Sequence, residues 1–196
     1  MKKNIKQRLF KYLFFVIVLS YYYQSQSLAQ SPAFDNLLKK YASNYVLTEQ
    51  LKNFAKQGLE LDLDVGKITP EQLIANAKTY LGTPHCIGGL SYECIDCSGL
   101  LYMIFKNLGI IVPHNSQEIA RYGKLIIEPD SLKQGDLVFF IGTYKTSKLI
   151  THVGIYLEDG KFIHTSSKKG VIISDINDPY YWSKHFIFGK RIFHKN

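Results

Sequence analysis

The chain has 196 residues, enough for one domain with a sizeable core and short for two. With 46% hydrophobic and 20% charged residues, and 14 each of Gly and Tyr, the composition excludes a largely disordered chain and suits a mixed or sheet-rich fold. The net charge of +8 does not signal nucleic acid: Lys2, Lys3, Lys6, Arg8 and Lys11 crowd the first 29 residues with no acid among them, and 24 less these five leaves 19 basic against 16 acidic groups. No basic helix, Arg cluster or stacking aromatic motif stands out in the remainder, so no nucleic-acid partner is expected.

The N-terminal basic residues precede an apolar run, Tyr12 to Tyr23, and the small-residue stretch SQSLAQ. These are the three zones of a secretory signal peptide, with cleavage expected after Ala29. The apolar run is well below the roughly 20 residues of a spanning helix, and no cysteine follows it for lipid attachment. Residues 1–29 are therefore expected to be removed, leaving an exported, periplasmic or extracellular chain with no stable membrane insertion. Export places Cys86, Cys94 and Cys97 where disulfides form, and their odd number leaves at least one thiol unpaired within the chain.

Residues 30–68 read as an amphipathic helical accessory segment. Leu37, Leu38, Tyr41 and Tyr45 recur at near-helical spacing and the Leu-Asp alternation of LELDLDVG closes it, as expected of a wrap over one flank rather than a separate binding module. The main domain, 69–196, begins at KITPEQLIANAKTYLG, with Thr69 as N-cap, Pro70 in the first turn, Gln72 completing a capping box and Gly82 as the stop. A second helix follows the loop TPHCIGGLSYEC, capped by Asp96 and ended by Gly109, with Leu100, Leu101, Ile104, Phe105 and Leu108 on one apolar face. Ser116 is expected to cap a short third helix. Strand patterns then take over in GDLVFFIG, THVGIYLEDGKFIHTSS, GVIISDI and HFIFGKRIF, and helices first with sheet second means α+β. The aromatic PYYWSKHF run is expected to pack the sheet edge, and His185 and His194 to be surface or structural residues.

Cys97 falls in the first turn of the capped helix, where unpaired amides and the helix dipole favour thiolate and offer donors to an oxyanion. This local signal does not separate a reactive thiol from a buried small hydrophobe. A base shifts the balance. His152 lies in the strand THVGIYL, and His164 in the return strand of the same hairpin, which matches the logic of thiol catalysis with a base and an orienting group. Register decides whether they meet. A two-residue Asp159-Gly160 loop puts His164 on the face away from His152. A three-residue loop, Glu158 to Gly160 with Gly160 at positive φ, pairs Leu157 with Lys161 and sets His164 opposite Gly154, diagonal to His152 on one face. The odd loop is expected.

YLGTPHCIGGLSYECIDCSGLLYMIF, VPHNSQEIARYGK, LKQGDLVFF, THVGIYLEDGKFIH and PYYWSKHFIFGKRIF resemble, in order, the segments of the NlpC-type cell-wall cysteine peptidases, over about residues 70 to 193. The resemblance implies a papain-like domain with N-terminal helices packed on a mainly antiparallel sheet, cutting peptidoglycan stem peptides, commonly between γ-D-glutamate and a diamino acid and sometimes at a cross-link; a monomer is expected. It implies Cys97 as nucleophile, His152 as base and His164 as the third, orienting residue. Asp96 and Ser98 match positions that bind the amino end of the stem peptide. His85 stands where relatives usually carry a tyrosine lining the site, and a neutral imidazole also donates a hydrogen bond. Cys86 and Cys94 are additions to the family pattern; they bracket the IGGLSYE loop, and their pairing is expected to pin that loop and leave Cys97 free. His114 occupies a place near the cleft without an assigned role. No cofactor or metal is expected, because no Cys and His spacing suits structural zinc and the thiol mechanism needs no metal. A thiol acyltransferase or amidase on the same fold would keep Cys97 and His152; a noncatalytic wall-binding protein would tolerate their loss.

Overall fold

A computed structural model of the protein describes residues 31–193. The signal peptide expected over residues 1–29, and His194, lie outside the described residues. The helices are α1 (Pro32–Lys40), α2 (Tyr45–Ala55), α3 (Pro70–Lys78), α4 (Cys97–Asn107), α5 (Ser116–Ile119) and α6 (Trp182–His185). The strands are β1 (Lys124–Ile126), β2 (Leu137–Ile141), β3 (Ile150–Tyr156), β4 (Lys161–Ser166), β5 (Gly170–Asp175) and β6 (Phe186–Arg191). They form one antiparallel sheet in the order β1-β6-β2-β3-β4-β5. The class is the α+β arrangement read from the sequence.

Local signals hold at most helix ends. Thr69 and Gln72 exchange side-chain and backbone hydrogen bonds in a capping box. The helix ends at Lys78, ahead of the expected stop; two tight turns intervene before Gly82 takes φ +85°. The short third helix is capped by Asn115, whose side chain accepts from the Gln117 and Glu118 amides, and not by Ser116, which is its first residue. Asn at the N-cap is as good an acceptor as Ser, so the two neighbours could not be ranked by residue type.

The segment before Thr69 shares the main core. Leu37, Leu51 and Phe54 are buried together with residues of α3, α4 and the sheet, and each such side chain contributes about 1.5–3 kcal/mol of burial. Polar clasps finish the attachment. Buried Arg121 donates to the Phe54 carbonyl at 2.8 Å, the Gly58 carbonyl at 3.1 Å and the Gln57 side chain at 2.7 Å. Lys190, fully buried on β6, donates to the Leu59 carbonyl and to that of Gly123.

Helix α4 packs against α3 on one side and against β3 and β4 on the other. Its start is held by the loop before it, where Cys86 and Cys94 are joined by a disulfide. The approach is close: a Cβ on Gly99 would lie 2.2 Å from the Gly89 carbonyl, and one on Gly89 2.4 Å from the Cys86 sulfur. In oxidised, denatured protein one thiol per chain is therefore expected to react with Ellman's reagent, and three after reduction. Replacing both Cys86 and Cys94 by serine is expected to lower stability by about 2–3 kcal/mol, the loop entropy for so short a crosslink, as read by urea unfolding.

Candidate active site

The hairpin of β3 and β4 has the odd loop. Leu157 and Lys161 close a turn over Glu158, Asp159 and Gly160, Gly160 takes φ +74°, and the ladder runs Tyr156↔Phe162 and Ile155↔Ile163. His164 thus comes opposite Gly154, and His152 Nε2 meets His164 Nδ1 at 3.0 Å. Gly154 is required by this approach, since a Cβ there would lie 2.7 Å from the Phe162 ring and 2.8 Å from the Ile163 carbonyl. The register places both imidazoles on one face with Phe140 and Phe162. His164 Nε2 continues to Ser174 Oγ on β5 at 2.9 Å.

Beyond Ile155↔Ile163 the ladder between β3 and β4 stops, and the start of α4 stands in the opening. Thr165 Oγ1 on β4 donates to the Asp96 carbonyl, while the N–H groups of Val153, Ser98 and Cys97 face the Cys97 sulfur. The thiol is thereby brought beside the residue that follows His152. Asp96 caps the helix: Oδ1 accepts from the Gly99 amide at 2.6 Å and from Ser98 Oγ at 2.9 Å, and Oδ2 from the Gly88 amide at 2.8 Å. His114 Nε2 lies 3.2 Å from both carboxylate oxygens.

A cavity of about 900 Å³ opens over these groups, lined by His85, Asp96, Cys97, Ser98, His114 and His152 among others. All the expected site residues border it except His164, which is fully buried behind His152, and the disulfide pair, which braces the loop carrying His85. His85 has no hydrogen-bond partner among the described residues. The Trp182 ring does not pack the sheet edge. It lies over the central strands, 5.3 Å from the His152 ring and 4.6 Å from that of His164, and contacts Phe140 and Phe162. Its indole is the largest apolar body in a segment that returns across the sheet before β6, so the sheet face, with more apolar surface to cover than an edge, takes it. His185 is structural, its Nδ1 bonded to the Ile141 carbonyl oxygen at 2.7 Å. Sequence reasoning passed over Ser174, which needed the β4–β5 register, and Tyr144, a loop residue with no periodic signal.

Electrostatics at the site favour neutral partners. Burial, and then the charge of Asp96, pushes the Cys97 thiol up to about 12, although the three backbone N–H groups pull the other way. The helix-terminus argument for a resting thiolate is therefore outweighed by desolvation. Burial holds His152 well below the ordinary imidazole range, helped by the charges of His164 and His85, and burial lowers His164 to about 4. Asp96 behaves oppositely: burial would raise it, but bonds from Gly99, Ser98 and His114 hold it below the ordinary carboxylate range. The phenol of Tyr144 is raised by burial and then by charge at Cys97 and Asp96, which places it in electrostatic reach of the thiol. Among the described residues no group of three or more His, Cys, Asp or Glu could hold a metal ion, and no helix is long and apolar enough to cross a membrane.

A buried neutral His164 makes stability depend on acid. Between the unfolded imidazole's value near 6.5 and about 4, the unfolded chain takes up a proton that the native chain does not. Stability is thus full above pH ~6.5 and falls as the pH drops, by roughly 3 kcal/mol at pH ~4 from this group alone. Urea unfolding at both pH values is expected to show the loss, and His164→Asn to show less of it.

A family model for the NlpC/P60 family matches residues 82–191. The chain is similar to a probable endopeptidase of Haemophilus influenzae, 40% identical over 58% of this chain and 68% of that one. It is also similar to the gamma-DL-glutamyl hydrolase of Bacillus subtilis, 38% identical over 57% of this chain but only 27% of that one. Among solved structures, an NlpC/P60 family protein of Bacillus cereus superposes with a TM-score of 0.58 at 30% identity, over 67% of this chain and 42% of that chain. The last two relatives thus carry more than half their length outside the shared part. What is shared is the part that holds Cys97, the His152–His164 hairpin and the strand sheet around them, and by it this chain belongs to the NlpC/P60 family.

Proposed function

We propose that the chain is an exported cysteine endopeptidase that hydrolyses peptidoglycan stem peptides at the bond between γ-D-glutamate and the diamino acid, with Cys97 as nucleophile, His152 as general base and His164 as the residue orienting it. The observation that carries this reading is a thiol at a capped helix start in the same cleft as a hydrogen-bonded imidazole pair. The endopeptidase and glutamyl hydrolase names of the relatives support peptide hydrolysis next to glutamate, the murein endopeptidase name of a further relative in Escherichia coli supports the substrate class, and the zones of residues 1–29 support export.

For His152 to accept a proton from the thiol through Nδ1, its Nε2 carries hydrogen toward His164 Nδ1, and His164 Nε2–H donates in turn to Ser174 Oγ. Ser174 Oγ then serves as the acceptor that ends the chain. The imidazole takes the proton of Cys97 as sulfur attacks the scissile carbonyl, and the backbone N–H groups of Cys97 and Ser98, which lie against the sulfur, are the donors offered to the developing oxyanion. The imidazolium protonates the departing amine as the C–N bond breaks, leaving a thioester. Water, deprotonated by His152, then breaks the C–S bond and restores the thiol. Asp96 takes the amino end of the peptide, and Ser98 and His85 line its path.

Mass spectrometry of digested stem peptides is expected to find the new amino terminus on the diamino acid. A thioester passed to an acceptor other than water would identify acyltransferase or amidase chemistry on the same fold. Peptide bound intact by folded protein would identify a wall-binding module.

A further inference from the structure

Asp96 is the one carboxylate among the residues lining the cavity, and its hydrogen bonds keep it ionised beside the nucleophile. It is the natural seat for a substrate cation. Its oxygens are nonetheless well occupied: the Gly99, Ser98 and Gly88 donors approach to 2.6–2.9 Å. The exception is His114, whose single Nε2 is shared between both oxygens at 3.2 Å. This long, divided contact is the one an incoming ammonium can most cheaply displace or share. A carboxylate only accepts, so Nε2 must carry hydrogen, and the charge state of His114 is decided at Nδ1. That atom has no partner among the described residues, and the ring borders the cavity.

We propose that His114 controls whether the cleft accepts a free amino terminus, a deeper statement of the reading that Asp96 takes the amino end of the peptide. With His114 neutral, Asp96 presents a net negative charge and Nδ1 a lone pair, both favourable to an ammonium. With His114 protonated, the contact becomes an ion pair between two full charges, and the imidazolium repels the ammonium. Other charges near the ring are few. Tyr102 on α4 lies 5.9 Å away ring to ring, with Lys106 Nζ 5.8 Å from the Tyr102 centroid, and His85, Lys148, His152 and Lys168 border the same cavity. The exchange is thus local to Asp96 and His114, whose side chains are 18% and 26% exposed.

The test compares a stem peptide with a free amino terminus and the same peptide N-acetylated, between about pH 5 and 7, a range in which the α-amino group stays protonated. The preference for the free amine, expressed as the ratio of KM values, is expected to fall about tenfold on acidification, with kcat changing alike for the two peptides. His114→Gln keeps an N–H for Asp96 but takes no proton, and is expected to hold the ratio constant across the range. An unchanging ratio in the wild-type chain, or an equal slope in His114→Gln, overturns the proposal. Calorimetric binding of both peptides to Cys97→Ala protein reads the same ratio without turnover. Absence of hydrolysis by the wild-type chain would therefore defeat the peptidase reading, and absence of a pH-dependent amine preference in binding would defeat this one.

Discussion

Cys97→Ala is expected to lower kcat/KM for stem-peptide cleavage by about four orders of magnitude or more, with the circular dichroism spectrum retained. No other side chain can replace the thiol. Cys86 and Cys94 are bonded to each other, the Ser98 hydroxyl donates to Asp96, and the Ser116 hydroxyl is buried against the Ile150 carbonyl. The side chain removed is small and half-buried, so the stability change is expected within about 1 kcal/mol. Loss of activity can then be assigned to chemistry and not to unfolding. Undiminished cleavage by purified, folded Cys97→Ala protein would remove Cys97 from the mechanism and the peptidase reading with it. A parallel Cys97→Ser protein keeps the shape of the site and is expected to be nearly as inactive, because a hydroxyl is a far poorer nucleophile toward an amide when its base is a neutral imidazole tuned to a thiol.

What the sequence made legible is what short-range physics decides. The Thr69 capping box, the Asp96 cap and the three-residue turn at Gly160 each depend on a few consecutive residues, and each has the expected geometry. From the turn alone, period-two alternation carries His152 and His164 to one face. Elements set by distant partners were not legible. Strand β1 has three residues and exists through pairing with β6, more than 60 residues on. Ser174 reaches His164 only because β5 pairs with β4 in one register, and the aromatic run before β6 gave no hint that Trp182 would roof the imidazoles. The charge state of the thiol failed for a different reason: the helix terminus is a local feature that sequence displays, whereas the desolvation that outweighs it is made by the whole fold.

That balance leads to the second large effect, because a thiol held up to about 12 depends on a neighbouring base throughout the neutral range. At pH ~7 the fraction ionised without help is on the order of 10⁻⁵. His152→Ala is therefore expected to reduce kcat/KM by about 10⁴-fold, and the residual rate to rise about tenfold per pH unit as free thiolate accumulates. The wild-type chain should behave differently. Its base must be neutral to accept the proton, and burial keeps His152 neutral to lower pH than an ordinary imidazole, so activity is expected to persist below pH ~6.5 before the acid limb sets in. His152→Gln, which fills the space beneath Trp182, guards against a collapse of the aromatic roof and is expected to give the same pH slope. Among the described residues, the only other imidazoles bordering the cavity belong to His85 and His114, and His114 is engaged with Asp96. If His152→Ala lost less than about tenfold in kcat/KM and kept a flat pH profile, the base would have to be sought at His85, and the His152–His164–Ser174 chain would be reduced to a structural network.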